Sequence, residues 1–569
     1  MQGFVLAAFL NFLLALSPVT AEATRVCKVV PGDPEWPSES KWNTLNETVG
    51  GRLIKNVPIA APCYQSSPHY NATECQRIRK NWHVPEFHEP DPSSVMAAAF
   101  SNRSCDPFQT QLGCSLGRYV AYTVNVSTPD HVFAAVNFAR DNNVRLIVRN
   151  SAHDYMGKST GPGALAVWTH YLTSLEWIPD YSSNGWTGTA VEIGAGVSFS
   201  QLYAEASKRN LTVVGGDCPS VGAAGGYIQG GGFGPLSTLF GTLADNALEF
   251  DVLTTRGTRV VASATQNPNL FFALRGGGGG TYGIVWSVTV KTHPDMAVTG
   301  ASVVFTPAED NNLDKWFRGV EAWRRIQPSI TAAGGYAQAV YQKGYFSLGP
   351  LFLPGSSDTR QIETIIAPFI SKLKELGLPY QSKVSSYGDF HSAYTALWNP
   401  AVFAIQNAQL GGRIIPKALY ADDRRLSEYN GFMKDFILDG AGVYDLTMTP
   451  KDVQENVPVL PTWRSAQTYV AVYLPWNDNG TYDAVLQQRS RITNYYMATL
   501  KNITHGSGAY LNEGDPFDPD WQHSFYGYNY DKLLAIKGDY DPDELLYGST
   551  AVGGGRWKED AEGRLCPVD

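Results

Sequence analysis

Two short segments hold nucleophilic side chains in loops of small residues: Arg149-Asn150-Ser151-Ala152-His153-Asp154 and Gly216-Asp217-Cys218-Pro219-Ser220-Val221-Gly222. An imidazole nitrogen and a thiolate both attack electron-poor carbon. Glycines follow each motif and let backbone approach a large ligand. Taken singly, His153 reads as a hydrogen-bonded loop histidine, and Cys218, before a proline, as half a disulfide. Cysteine parity changes that reading. The chain has 7 cysteines, at 27, 63, 75, 105, 114, 218 and 566, so one is left over when the others pair. Cys218 alone lies in a glycine-rich motif. The local pairs are then Cys63–Cys75 and Cys105–Cys114, with Cys27–Cys566 joining the ends, although sequence alone leaves other pairings of the six open.

The elements that must position these loops begin near residue 119. An apolar run at 119–126 reads as a strand, Thr128-Pro129-Asp130 opens a helix to about 142, and 144–148 is a second strand, as in a β-α-β unit. Strands at 190–193 and 211–214 flank a helix at 198–209, and 247–254 with 259–262 form a hairpin around Arg256-Gly257. Residues 222–234 hold seven glycines and 276–280 are five in a row, before an apolar strand at 284–291. A second α/β unit follows over about 300–500, with helices at 312–326 and 356–376. A dinucleotide site of the G-x-G-x-x-G kind fails here, because Val197-Ser198-Phe199 follows Gly194-Ala195-Gly196 where a third glycine is needed. No Walker lysine motif is present. What survives is a cradle of several glycine-rich turns, whose backbone N–H groups hold a pyrophosphate without basic side chains.

At 569 residues the chain exceeds what one core supports, so two or more domains are expected. A net charge of −9 without a basic cluster excludes nucleic acid and anionic membranes as partners. Residues 1–23 read as a secretory signal, with an apolar stretch from Phe4 and small residues at Ala21 and Ala23. Asn46, Asn71, Asn102, Asn125, Asn210, Asn479 and Asn502 each start a glycosylation sequon. A secreted, glycosylated, disulfide-bonded protein is expected. No later segment is long and apolar enough to span a membrane, and a monomer is expected.

Several segments together resemble the berberine bridge enzyme-like branch of the vanillyl alcohol oxidase superfamily, in particular secreted fungal members of the isoamyl alcohol oxidase type. They are residues 149–157, Trp168-Thr169-His170, 216–234, Ala244-Asp245-Asn246, 274–283 and Tyr526-Gly527-Tyr528-Asn529-Tyr530. The similarity covers roughly 119–294 and 526–547, with weaker traces in the lead-in and at Gly563-Arg564-Leu565-Cys566. It implies an α+β fold: a two-subdomain PCMH-type FAD-binding domain (115–297), an α/β substrate domain with an antiparallel sheet (298–505), and a C-terminal segment (506–569) returning to the FAD domain. Residues 24–114 are expected to be a disulfide-stapled, glycosylated lead-in.

The resemblance also assigns residues. It makes FAD bicovalent, with His153 matching the histidine bonded to the 8α-methyl carbon and Cys218 the cysteine bonded to C6. Asn150, Ser151, Ala152, Asp154 and Gly157 belong to the first cofactor loop. Gly222, Gly225, Gly226, Gly230, Gly231 and Gly232 match turns around the pyrophosphate, Gly283 and Ile284 the adenosine side, and Asn529 the C-terminal asparagine that reaches the flavin. The family usually has glycine where Ala152 stands, which matters only if that position needs φ > 0. Val221 matches an oxidase-type residue that admits oxygen to reduced flavin.

The implied reaction moves hydride from a substrate C–H to flavin N5 while a base takes the adjacent proton, and O2 then becomes H2O2. The base is sought among tyrosines: Tyr469 and Tyr473, on one face of the strand at 468–474, and Tyr526 and Tyr528 in the tail. The small-molecule substrate is an alcohol or secondary metabolite. A carbohydrate oxidised to its lactone, a dehydrogenase with another acceptor, and a non-catalytic flavin binder are the alternatives.

Overall fold

The computed structural model describes residues 26–309, 312–398, 404–405, 407–453, 456–478 and 480–568. The signal segment at 1–23 and the sequon asparagine at 479 lie outside the described residues. The first sheet holds β1 (Leu53–Lys55), β2 (Tyr122–Asn125), β3 (Leu146–Arg149) and β4 (Leu165–Trp168) in the order β1-β2-β4-β3. β2, β4 and β3 run parallel, and the helix Pro129–Asp141 makes the crossover. That helix starts with proline at its first position, where no N–H is needed, and buries Val132, Ala135, Val136 and Ala139 at helical spacing. β1 pairs antiparallel with β2, so the lead-in contributes an edge strand to this sheet rather than standing apart from it.

The second sheet is built from β5 (Leu175–Ser183), β6 (Trp186–Gly194), β8 (Ala247–Leu253), β9 (Arg259–Ser263) and β10 (Ile284–Lys291), in the order β5-β6-β10-β8-β9. Its central strand is β10, whose near-continuous burial matches its apolar, β-branched sequence. β7 (Leu211–Thr212) and β11 (His293–Pro294) form a small ribbon beside it. The apolar run at 211–214 reads as a longer strand, yet only two of its residues pair, because the chain turns away toward Gly215 and Gly216.

The third sheet is fully antiparallel. It comprises β12 (Val298–Phe305), β13 (Tyr336–Gln342), β14 (Tyr345–Pro354), β15 (Tyr380–Tyr387), β16 (Ala408–Pro416), β17 (Gly442–Thr447) and β18 (Ala466–Pro475). The order is β15-β12-β14-β13-β17-β18-β16. One face is covered by the helices Leu313–Ala332, Thr359–Glu375 and Asp423–Leu438, through Trp316, Trp323, Phe369 and Phe436. The first of these runs beyond Ile326 and through Pro328, since Ile330 continues its buried face.

The tail returns to the first two sheets. Leu546 bridges Leu146 beside β3, and the buried Lys537 ammonium donates to the carbonyls of Thr281 (2.9 Å) and Leu546 (2.8 Å) and pairs with Asp541 (2.7 Å). The hairpin of β19 (Trp557–Glu559) and β20 (Leu565–Pro567) is tied to the N-terminus by Cys27–Cys566. Cys63–Cys75 and Cys105–Cys114 staple the lead-in, and Cys218 is free. Arg464 makes a two-toothed ion pair with buried Asp245 (2.7 and 2.8 Å), locking the seven-stranded sheet to the second one.

Candidate active site

Three walls, built from stretches distant in sequence, enclose one cavity of about 260 Å³. The loop after β3 supplies Asn150 to Asp154. Glycine turns at 222–226 and 279–283 form a second wall. The uncovered face of the third sheet forms a third wall, with Gln338, Leu410, Tyr444, Leu446 and Ala471, closed by Tyr510, Asn512 and Glu513 of the tail. The loop at 150–154 leaves the carboxyl end of a parallel strand, where open α/β sheets place their ligands. Its parent residue Arg149 is buried and anchored by donating to the carbonyls of Asp91 (3.0 Å) and Ser94 (2.6 Å). Ala152 holds φ = 67°, a left-handed conformation that an L-residue adopts only at a cost.

His153 and Cys218 meet at one hydroxyl. The Ser220 Oγ lies 2.8 Å from His153 Nε2 and 3.8 Å from Cys218 Sγ. Both residues line the cavity, and Ser220 is not on its wall. Burial pushes the His153 pKa down to about 4, helped by His88, so the imidazole is neutral at ordinary pH. Burial, and then the Asp217 charge, push the Cys218 thiol up to about 12, so the sulfur carries its proton. Asp217 is itself raised by burial and accepts a hydrogen bond from the Tyr336 hydroxyl at 3.0 Å. Burial and Asp217 lift Glu513 to about 8. The Tyr155 hydroxyl is raised by burial and by the charges of Glu513, Cys218, Tyr444 and Asp217, which places these groups around one space.

Residues 120–263 match the model of an FAD-binding domain, and 509–552 match that of the berberine and berberine-like segment. The chain is 41% identical to the FAD-linked oxidoreductase patO of Aspergillus clavatus, over 98% of this chain and 97% of that one. It is 36% identical to the VAO-type flavoprotein oxidase VAO615 of Thermothelomyces thermophilus, with 95% of each covered. The crystal structure of the VAO-type flavoprotein MtVAO615 from Myceliophthora thermophila superposes with a TM-score of 0.90 at 33% identity, covering 95% of this chain and all of that one. The chain belongs to the VAO/berberine bridge enzyme-like FAD-linked oxidoreductases.

The cavity of this oxidoreductase fits FAD by its own chemistry. Lys158 Nζ is buried on the wall with no hydrogen-bond partner, a cation set for an anionic group such as the pyrophosphate, and burial lowers its pKa to about 8. Asn150 Oδ1 and Gln229 Oε1 line the cavity as buried acceptors without donors. The two glycine turns approach so closely that a Cβ on Gly279 would stand 2.8 Å from the Gly226 Cα. A Cβ on Gly226 would face open space, so its Cα side is open to the close approach of a ligand.

Of the residues singled out from sequence, Asn150, Ser151, Ala152, His153, Asp154, Cys218, Val221, Gly222, Gly225, Gly226 and Gly283 line the cavity. The others do not. Gly157 (φ = 68°) is a turn residue whose Cβ would strike the Phe100 ring, and Gly230, Gly231 and Gly232 pack against Asn512, Val459 and Tyr227. Ile284 is core, with Leu253 and Val148. Asn529 donates to the Pro458 carbonyl (3.2 Å) away from the cavity; the tail asparagine that reaches it is Asn512, which donates to the Gly226 carbonyl at 2.9 Å.

None of the four tyrosines is on the cavity wall either. Tyr528 is 81% exposed, and the Tyr526 hydroxyl donates to the Thr550 carbonyl (2.8 Å). The Tyr469 hydroxyl donates to the Glu513 carbonyl (2.9 Å), and Tyr473 packs on Gly442 and behind Tyr444. Strand alternation gave the face correctly, since Ala471 between them lines the cavity. Tyr444, opposite Ala471 on β17, is the sheet tyrosine that reaches in. Lys158, Tyr155, Ser220 and Glu513 join the site without having been singled out; Tyr155 and Lys158 follow His153 in its loop and Ser220 follows Cys218 in its motif, whereas nothing in the sequence marks Glu513.

Proposed function

We propose that this protein is a secreted oxidase that holds FAD through two covalent bonds, from His153 and Cys218, and oxidises a small, largely apolar alcohol or secondary metabolite at the expense of dioxygen. The observation that carries the reading is the convergence of His153 and Cys218 on Ser220 at the rim of a cavity whose opposite wall is the third sheet. When bound, the flavin supplies the hydride acceptor and the electron path to oxygen. The chain supplies the rest. Lys158 and the glycine turns hold the anionic half of the cofactor. Leu410, Leu446 and Ala471 offer the substrate an apolar floor, which suits an apolar alcohol better than a sugar, whose hydroxyls would lose water without replacement. A fold likeness to the glucooligosaccharide oxidase of Acremonium strictum, at 19% identity, concerns architecture only.

Glu513 is the proposed base. It is the cavity carboxylate on the tail, raised to about 8 by burial, and so accepts a proton readily once ionised. Tyr155 and Tyr444 flank it and orient the substrate oxygen. Val221 lines the cavity beside Cys218, and the oxidase VAO615 is among the relatives; both support oxygen as acceptor. Three disulfides and exposed sequon asparagines at 71, 102, 210 and 502 support passage through an oxidising compartment. The test is peroxide release from a panel of aliphatic alcohols, aromatic alcohols and oligosaccharides. Peroxide from the alcohols supports the reading. Peroxide from the sugars alone, or flavin reduction that oxygen does not reverse, overturns it.

A further inference from the structure

We propose that Glu89 drives covalent attachment of the flavin: it receives, through the Ser220 hydroxyl, the proton that His153 must lose from Nε2 when its Nδ1 bonds to the ring. The inference rests on the covalent reading above and adds residues that the catalytic cycle does not use. Glu89 follows the short helix Pro85–His88 of the lead-in, far in sequence from either anchor. Its Oε1 is buried without a hydrogen-bond partner and lies 3.9 Å from His153 Nε2. That is too far for direct transfer; Ser220 lies 2.8 Å from the same nitrogen, and its hydroxyl is also the neighbour whose hydrogen bonding lowers the Glu89 pKa, which sets it between the two.

The proton positions follow from counting. A serine hydroxyl has one proton. Given to the Glu89 carboxylate, whose pKa Ser220 lowers against the upward push of burial, it leaves Oγ to accept from Nε2–H. Nδ1 then holds the lone pair, and it has no hydrogen bond to any described residue. In the step, the Nδ1–C8α bond forms and one methyl C–H bond and the Nε2–H bond break. The methyl proton goes to solvent, and the Nε2 proton passes to Ser220 as the Ser220 proton passes to Glu89. The two electrons enter the ring, and dioxygen removes them with two protons as hydrogen peroxide. Glu89, with its pKa raised to about 7, is matched to a group that takes a proton and returns it to water. The titratable groups around the relay are Glu86, which raises Glu89; His88, which faces His153; and Cys218 with Asp217 behind it.

The test compares purified, FAD-loaded wild type, Glu89→Gln, Glu89→Asp, Ser220→Ala and His153→Ala. It measures total flavin per chain and the fraction of chains whose His153 peptide carries flavin by mass spectrometry. Wild type is expected to be fully attached. Glu89→Gln and Ser220→Ala should bind FAD but attach it at His153 at least 10-fold more slowly, with Glu89→Asp between. Attachment in Glu89→Gln should accelerate from pH 6 to 9 in air, as hydroxide replaces the carboxylate. His153-linked flavin in Glu89→Gln at wild-type speed overturns the proposal. If Glu89→Gln fails to fold, Ser220→Ala decides: attachment at wild-type speed there overturns it too. Wild type without His153-linked flavin would instead overturn the covalent reading itself.

Discussion

Replacing Ala152 by glycine should stabilise the protein. Ala152 sits at φ = 67°, next to His153, and lines the cavity. An L-residue in the left-handed region costs about 1–2 kcal/mol, which glycine avoids. Glycine gives back about 0.4–1 kcal/mol through the greater freedom of the unfolded chain. The packing lost is at most that of one methyl group on a residue that lines the cavity. The net effect is centred on ~0.8 kcal/mol in favour of Ala152→Gly, with a span of roughly 0–1.6 kcal/mol. In a chain of this size that amounts to a rise of about 1 °C in thermal midpoint, scaled from the 2–4 °C per kcal/mol of smaller domains. Ala152→Val, β-branched in the same conformation, should lower the midpoint by several times as much. The assay is a thermal scan of the three proteins at one scan rate, with unfolding followed by tryptophan emission. A glycine variant less stable than the parent would refute the strain argument, showing that the loop relies on the alanine methyl for packing.

Glu513→Gln should cut the rate of anaerobic flavin reduction about 10²–10⁴-fold while leaving flavin content unchanged. In the parent enzyme that rate should rise with pH and level off above about 8, because the base works only when deprotonated and burial raises its pKa; stopped-flow profiles of both proteins check this. Lys158→Met should weaken the initial, non-covalent binding of FAD, seen as a lower flavin-to-protein ratio in a His153→Ala/Cys218→Ala background. Lys537→Met leaves Asp541 buried without its cation and should destabilise the tail by about 3–5 kcal/mol, measured by urea unfolding.

The α+β architecture, and the meeting of His153 and Cys218 on one cavity, were legible in the sequence for identifiable reasons. Parallel strands announced themselves as short apolar runs around a proline-started helix, and an odd cysteine in a glycine-rich loop marked Cys218. Parity left six cysteines to pair without fixing their partners; closeness in sequence favoured the two local bridges that form, and Cys27–Cys566 is the remaining pair. Residues that act through tertiary placement were not legible. Alternation along β18 gives the face of Tyr469 and Tyr473, but not that Tyr444 on the neighbouring strand stands in front of Tyr473. Asn529 and Asn512 are both tail asparagines, and only the turn of the chain after Ser507 puts Asn512 against Gly226. Glu89 and Glu513 look like ordinary surface carboxylates until folding buries them. Ala152 was legible as a departure from the glycine usual in the family, and the backbone supplied its consequence.

The central claim is that His153 and Cys218 hold one flavin between them. Tryptic digestion of acid-precipitated, deglycosylated protein tests it directly. Cleavage after Arg149 and Lys158 isolates residues 150–158, and cleavage after Arg209 and Arg256 isolates 210–256. A single yellow species is expected, in which these two peptides are joined through one flavin. Recovery of both peptides unmodified, with all the flavin in the acid supernatant, would contradict it.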